Sequence, residues 1–144
     1  MIKKIDHIGI AVADLDSALQ RYQGLTGQRA AHRETVERQK VDTAFFPVGG
    51  VRLELLRGTA PDSPISKYIA KRGEGIHHIC FEVDDLDAAR EEMRRAGFVF
   101  IEQQDEQGAG GTRVAFIHPK STGGILFELV EYPNAAEPQI PNSK

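Results

Sequence analysis

The residues best suited to chemistry occur twice in this chain, once in each half. His7 and His78 hold the same position in two similar segments, IDHIGIAVADLDSA and IHHICFEVDDLDAA, which are offset by 71 residues and identical at eight of fourteen positions. Glu54 and Glu128 likewise share the fourth position of two strand-like segments, VRLEL and ILFEL. Two imidazoles and two carboxylates suit a borderline divalent metal (cobalt, nickel, manganese, zinc or iron) that keeps coordination positions open for a substrate.

A structural explanation of the same four residues stays open from the pattern alone. A single histidine in an apolar strand is usually a packed core or edge residue, and a glutamate in an alternating strand usually faces solvent. The recurrence favours a site, because a charged group among apolar neighbours is costly to bury without a partner. A shared metal would give both pairs that partner.

The remaining candidate ligands do not recur across the repeat. Strand alternation predicts that His77 and His78 point to opposite faces, and the counterpart of His77 is Asp6, so we interpret His77 as structural. We interpret His32 as a surface residue. Cys80 lies in an apolar run and is interpreted as a buried small hydrophobe.

Each half of the chain is predicted to form a β-α-β-β-β module. An alternating strand comes first, a helix capped by Asp14 or Asp85 follows, and Gly27 or Gly97 lies where each helix should end. A strand and then a pair of strands complete each module. Since a half of about 65–70 residues has only a marginal core, we expect two tandem βαβββ modules related by a pseudo-twofold, an α+β fold.

The predicted boundaries give one domain with a short tail. Residues 1–133 form the domain, with module one at about 4–57 and module two at about 75–132. A linker helix is predicted at about 62–73, because Pro64 follows the capping residue Ser63. The segment 134–144 contains prolines without periodicity and is predicted to be a mobile tail.

Composition excludes several classes of protein. The 144 residues carry 18 basic and 21 acidic side chains, a net charge of −3, which argues against broad nucleic-acid binding. The single cysteine forbids an internal disulfide and suits a reducing cytosol. No apolar run approaches the roughly 18 residues of a membrane span, and the N-terminal segment does not read as a secretory signal. We therefore expect a cytoplasmic protein without nucleic-acid or membrane partners.

Two surface features have open interpretations. The glycine-rich segment 105–111 is either a flexible connection or a lid whose backbone amides contact substrate oxygens, and it lacks the lysine of a phosphate-binding P-loop. Lys67, Lys71 and Arg72 on the linker helix, and Lys120 in a later turn, are either solvated or suited to a phosphate-bearing substrate.

Tandem β-α-β-β-β modules with one histidine and one glutamate each resemble the vicinal oxygen chelate superfamily, which includes glyoxalase I, extradiol dioxygenases and antibiotic-resistance proteins. Within it, the chain looks like the methylmalonyl-CoA epimerase family. The similar stretches are IDHIGIAVADLDSAL, VRLELL, DSPISKYIAKRGEGIHHICFEVDDLDAA and FIHPKSTGGILFELVE, which with their connections cover about residues 4–133. The DSPI…GEGIHHI and HPK…GG-IL-ELVE blocks are the more specific ones.

The resemblance implies a metal-dependent epimerase that interconverts the C2 epimers of methylmalonyl-CoA through a metal-stabilised enolate. It implies His7, Glu54, His78 and Glu128 as ligands of one divalent metal. Cobalt is the first expectation, before nickel, manganese or zinc. The expected partners are an acyl-CoA substrate and a second copy of the chain in a homodimer.

One position departs from the family. Part of the family has a glutamate, proposed as a catalytic base, where this chain has Thr43, and a threonine cannot act as a carboxylate base. We therefore expect Glu128, and with it Glu54, to serve both as metal ligands and as proton-transfer groups. The further substrate-binding candidates are Gly110, Gly111, Lys120, Gln39 and Thr43.

Two other functions remain possible for the same pattern. A glyoxalase I-type lactoylglutathione lyase can use the same four ligands, although the DSPI and HPK blocks argue against it. A metal-free module that sequesters an antibiotic would not need to keep all four ligands.

Overall fold

The computed structural model describes residues 1–102 and 107–133, which form seven strands and three α-helices. The strands are β1 (Ile2–Ala11), β2 (His32–Val36), β3 (Val41–Val48), β4 (Val51–Gly58), β5 (Gly75–Val83), β6 (Arg113–Ile117) and β7 (Phe127–Glu131). The helices are α1 (Leu15–Thr26), α2 (Pro64–Arg72) and α3 (Leu86–Arg95). The α+β fold expected from the repeat is confirmed.

The second copy of the repeat is the less regular one. The prediction of a strand after Gly97 is wrong for the described residues 98–102, where Phe100 forms an isolated bridge with Ile117. The segment after Gly97 still forms hydrogen bonds with the edge of β6, where Ile101 N–H donates to the Phe116 carbonyl at 2.8 Å. The apolar residues that suggested a strand therefore make contacts at this edge without a continuous ladder.

The predicted helix ends follow from capping. The Asp14 side chain accepts from the Ser17 backbone N–H at the start of α1, and Asp85 accepts from Ala88 N–H at 3.0 Å at the start of α3. Gly27 ends α1 with φ 71°, a left-handed conformation that glycine adopts without a Cβ penalty. The linker helix α2 begins as predicted, because the buried Ser63 hydroxyl accepts from Ile65 N–H at 3.2 Å.

The described chain divides into two compact units. The first unit is Ile5–Cys80, and the second combines Met1–Lys4 with the chain from Phe81 onward. The predicted module boundaries stay a prediction. The predicted tail, 134–144, and residues 105 and 106 of the glycine-rich segment lie outside the described residues.

The first unit holds strands in the order β2-β3-β4-β1-β5. β3 and β4 form an antiparallel hairpin that turns at Gly49 and Gly50, and β4 pairs with β1 in parallel. One face packs on α1 through Val12, Leu15, Ala18, Ala44, Phe46 and Leu55. A second cluster, of Ala11, Val41, Leu56 and Ile65, packs near α2.

The second unit contains the start of β1, the end of β5, and β7 and β6, in the order β1-β5-β7-β6. Its core is Val83, Leu86, Ala89, Ala115, Ile117 and Leu129. The N-terminal amino group forms an ion pair with Asp84 in this unit, at 2.6 Å. Each unit thus has its own apolar core, so the strands that carry the candidate residues are supported by packing.

Among the described residues, no helix combines the length and the apolar character that crossing a bilayer requires.

Candidate metal centre

Two buried imidazoles meet in the first unit. His7 on β1 and His78 on β5 have 8% and 7% of their surface exposed, and their Nε2 atoms lie 3.0 Å apart. The two rings are perpendicular, with an interplanar angle of 89°. Both Nε2 lone-pair positions therefore converge on the same small region.

The Glu54 carboxylate joins this pair from β4. Its Oε1 lies 3.4 Å from Nε2 of His7, and one donor atom from each of His7, Glu54 and His78 lies within 4.8 Å of the other two. The parallel pairing of β1 and β4 explains the approach, because Gly9 opposes Glu54 two residues beyond His7. Residues two apart on a strand share a face, so the carboxylate and the imidazole are on one side of the sheet.

Gly9 leaves room for the second imidazole. A Cβ added at Gly9 would lie 2.3 Å from Cε1 and 2.6 Å from Nδ1 of His78, closer than real Cβ contacts. The absence of a side chain at this position is therefore a requirement for the observed place of the His78 ring. The repeat aligns Gly9 with Cys80, which is fully buried, as predicted.

The second nitrogen of His7 also has a partner. Nδ1 lies 2.7 Å from Oδ2 of Asp6, and Asp6 is 5% exposed. The same Oδ2 accepts from Nη2 of Arg52 at 2.7 Å. Sequence reasoning missed Asp6 and Arg52 as part of this site. The available signal was that Asp6 directly precedes a candidate ligand in the repeat.

His77 stands in the equivalent place beside His78, and the expectation that alternation separates the two rings is wrong. Nδ1 of His77 lies 3.0 Å from Nδ1 of His78, and the rings meet edge to face at 5.2 Å. The Tyr68 ring also contacts His77, with the ring centres 5.0 Å apart. Neighbouring side chains on a twisted strand can thus bend toward one another.

The donor set fits a borderline divalent metal. Two imidazole nitrogens and a carboxylate oxygen are the ligand types that cobalt, nickel, zinc and non-haem iron accept. Both imidazoles are buried. In each ring Nδ1 has a partner of its own, so Nε2 is the nitrogen that remains for the metal. The residues present therefore suit the metal expected from the sequence.

Glu128, the fourth predicted ligand, lies in the second unit. It is the second residue of β7, opposes Phe116 on β6 and is half-buried. Its role as a ligand and as a proton-transfer group stays a prediction.

The predicted substrate-binding residues are distributed over both units. In the first unit, Gln39 ends a 3-10 turn, and Thr43 on β3 lies on the same sheet face as Glu54, since Thr43 opposes Leu56 and Phe45 opposes Glu54. In the second unit, Gly110 and Gly111 lie in a turn with left-handed φ of 67° and 80°, and the exposed Lys120 lies in a turn capped by His118. Their contact with a substrate stays a prediction.

Comparison with known proteins gives consistent matches. The family model of the Glyoxalase/Bleomycin resistance protein/Dioxygenase superfamily matches residues 6–116. The ethylmalonyl-CoA/methylmalonyl-CoA epimerase of Cereibacter sphaeroides is 36% identical over 131 residues, 90% of this chain and 98% of the relative. The mitochondrial methylmalonyl-CoA epimerase of Homo sapiens is 34% identical over 127 residues, 88% of this chain and 72% of the relative.

A solved structure extends the similarity to three dimensions. A methylmalonyl-CoA epimerase variant of Streptomyces coelicolor, in complex with 2-nitronate-propionyl-CoA, has a TM-score of 0.82 and 38% identity to this chain. The match covers 92% of this chain and 99% of that one. The fold and the resemblance expected from the repeated motifs are thereby confirmed. The chain belongs to the methylmalonyl-CoA epimerase family, within the glyoxalase/bleomycin resistance protein/dioxygenase superfamily.

Proposed function

We propose that this protein is a metal-dependent epimerase that interconverts the C2 epimers of methylmalonyl-CoA. The observation that carries the proposal is the 3.0 Å approach of the His7 and His78 Nε2 atoms beside the Glu54 carboxylate. Relatives that cover most of the chain carry the epimerase name, which supports the substrate class.

His7, Glu54 and His78 would hold the metal, with Glu128 as the fourth ligand by its place in the repeat. Nitrogen and oxygen donors of this kind favour cobalt, nickel, manganese or zinc, and we propose cobalt first. When bound, the metal would act as a Lewis acid for the negative charge that develops on the thioester oxygen.

The proton must leave one face of C2 and return to the other. Such a reaction needs a proton acceptor or donor on each face of a planar carbon. Thr43 does not supply a carboxylate, so we assign the two roles to Glu54 and Glu128. Each carboxylate has two oxygens, so that one can bind the metal while the other exchanges the proton.

The remaining substrate contacts follow from the types of the residues. Gln39 and Thr43 offer an amide and a hydroxyl, and Gly110 and Gly111 offer backbone N–H groups, all suited to the oxygens of a malonyl thioester. Lys120 is a candidate for a phosphate of coenzyme A. We further propose a cytoplasmic homodimer, as expected from the family resemblance and the single cysteine.

Exchange of the C2 hydrogen of methylmalonyl-CoA with solvent deuterium tests the proposal. The metal-free protein, the protein loaded with cobalt, and cobalt-loaded Glu54→Gln and Glu91→Gln proteins are compared by NMR or mass spectrometry. Glu91 is an exposed residue of α3 and serves as the matched control. We expect exchange and epimerisation to require the metal and to survive Glu91→Gln.

Loss of one proton-transfer group has a distinctive signature. Glu54→Gln should block net epimerisation but leave exchange in one epimer, because the opposite carboxylate is still present. Full epimerisation by Glu54→Gln would remove Glu54 from the mechanism. Absence of exchange in every metal-loaded sample, together with turnover of the glutathione hemithioacetal of methylglyoxal, would instead indicate a glyoxalase I-type enzyme.

A further inference from the structure

The His7 imidazole is fixed through the nitrogen that does not face the candidate metal. Nδ1 lies 2.7 Å from Oδ2 of Asp6, and an ionised carboxylate can only accept a hydrogen bond. In the neutral imidazole Nδ1 therefore carries the proton, and Nε2, which faces His78 and Glu54, keeps its lone pair. This is the tautomer in which Nε2 can bind a metal.

Arg52 supports the carboxylate that sets this tautomer. Asp6 is 5% exposed, and a buried carboxylate requires a charged or hydrogen-bonding partner. Nη2 of Arg52 donates to the same Oδ2 at 2.7 Å. Arg52 can reach it because it opposes His7 in the parallel β1–β4 pairing, and its guanidinium lies 5.1 Å from the centre of the Phe45 ring.

We propose that Asp6, held by Arg52, is a positioning residue that fixes the tautomer and the orientation of His7 and thereby makes its Nε2 a preformed metal donor. The inference rests on the proposed function, since it assigns a purpose to the Nε2 lone pair. A carboxylate behind a ligand imidazole also increases the electron density that the imidazole offers to the metal.

The residue beside the second imidazole is of a different chemical type. His78 has His77 in the place of Asp6, and the two Nδ1 atoms lie 3.0 Å apart. A neutral imidazole nitrogen is either a donor or an acceptor, so His77 does not impose one tautomer on His78. The Asp6 carboxylate therefore fixes the tautomer of His7 in a way that the His77 imidazole does not for His78.

Cobalt titration of three variants tests the proposal. Asp6→Ala removes the acceptor, Asp6→Asn keeps an acceptor oxygen without the charge, and Asp42→Asn removes a carboxylate that pairs with Arg57 at 3.1 Å in the same unit. Calorimetry should show cobalt affinity about 10- to 100-fold weaker for Asp6→Ala, a smaller loss for Asp6→Asn, and no change for Asp42→Asn. Cobalt affinity of Asp6→Ala equal to that of the wild type would overturn the proposal.

A second readout does not depend on the metal. The ¹⁵N chemical shifts of the His7 ring in the metal-free protein should show a proton on Nδ1 in the wild type and an altered tautomer ratio in Asp6→Ala. If Asp6→Ala does not fold, Asp6→Asn is compared with the wild type in the same way. A wild-type ring protonated on Nε2 would contradict the inference even if cobalt binds.

The two readouts separate this inference from the proposed function. A wild-type protein that does not bind cobalt contradicts the proposed function, whereas the tautomer measurement still tests the role of Asp6. A wild-type protein that binds cobalt with an Asp6-independent affinity and tautomer contradicts only the inference.

Discussion

The backbone of Gly9 lies directly against the imidazole of His78, so that a methyl group at Gly9 would come within 2.3 Å of Cε1. Gly9 also opposes Glu54 in the β1–β4 pairing. One residue without a side chain therefore borders two of the candidate metal ligands, and its environment gives a direct test of how tightly the site is built.

Gly9→Ala is expected to displace His78 and to weaken cobalt binding, because the ring cannot share its space with a Cβ. Gly24→Ala is the matched control, since a Cβ at Gly24 meets nothing within 4 Å. Gly24 lies inside α1, where alanine is favoured over glycine by about 1 kcal/mol, so this variant should be slightly more stable. Calorimetry and urea unfolding measure the two effects. Undiminished cobalt affinity in Gly9→Ala would show that His78 is not a fixed ligand.

The side chains of Asp6 and Arg52 should be energetically coupled. Asp6 has almost no exposed surface, and the Arg52 side chain is 34% exposed, so the pair is only partly screened by water. A double-mutant cycle with Asp6→Ala and Arg52→Met, followed by urea unfolding, is expected to give a coupling free energy of about 1–3 kcal/mol.

The pair of Asp42 and Arg57 provides the comparison for that cycle. Its side chains are 23% and 42% exposed, so solvent screens their attraction more strongly. We expect a coupling free energy below about 1 kcal/mol there. Equal coupling in the two cycles would argue that Arg52 has no special part in holding the buried carboxylate.

The helix cap at Asp14 makes stability depend on pH. The Ser17 hydroxyl donates to Asp14 at 2.6 Å, and this bond is the main cause that holds the pKa of Asp14 below its ordinary value of 3.8. A lowered folded-state pKa means that the ionised group stabilises the fold above the unfolded pKa, and that this contribution is lost as the pH falls through the folded pKa.

Asp14→Asn keeps a capping oxygen but removes the titration. The difference in free energy of unfolding between the wild type and Asp14→Asn should be largest near neutral pH and should shrink as the pH falls from the ordinary value of 3.8 through the lowered folded-state pKa. Urea unfolding across this range measures it. A difference that stays constant between neutral and acidic pH would show that the carboxylate charge does not contribute to the cap.

The basic residues of α2 give a test of coenzyme A binding. Lys67 and Lys71 are exposed on this helix, and attraction for the phosphates of the substrate would act equally on ground and transition states. Reversing both charges should raise KM several-fold and leave kcat unchanged, as measured by steady-state kinetics. Charge reversal at Arg95, exposed on α3, is the control. An unchanged KM in the double variant would remove α2 from the binding surface.

Much of the fold follows from local rules that act within a few residues. The caps at Asp14, Ser63 and Asp85 are predictable from residue type because each side chain accepts from a nearby backbone N–H. The turn at Gly49 is predictable because glycine readily adopts its φ of 63°. The prediction of a strand after Gly97 is wrong for residues 98–102, because their apolar character carries no information about whether a partner strand continues beside them. That depends on the distant edge of β6.

The candidate site was predictable only where the repeat marked it. His7, His78 and Glu54 were found by their recurrence, and the structure brings them together. Arg52 was not predictable, since its contact with Asp6 spans 46 residues and depends on the parallel register of β1 and β4. Asp6 was missed because strand alternation directs neighbouring side chains apart, whereas here the carboxylate reaches the adjacent ring.

Cobalt binding by the wild type and by His7→Ala, His78→Ala and His32→Ala proteins is the most direct test of the account. His32 is an exposed histidine that pairs with Glu34 at 2.6 Å and serves as the control. We predict one tightly bound cobalt ion per chain in the wild type and in His32→Ala, and a loss of affinity in His7→Ala and His78→Ala that exceeds the loss in Asp6→Ala. Stoichiometric binding that survives both His7→Ala and His78→Ala would contradict the account.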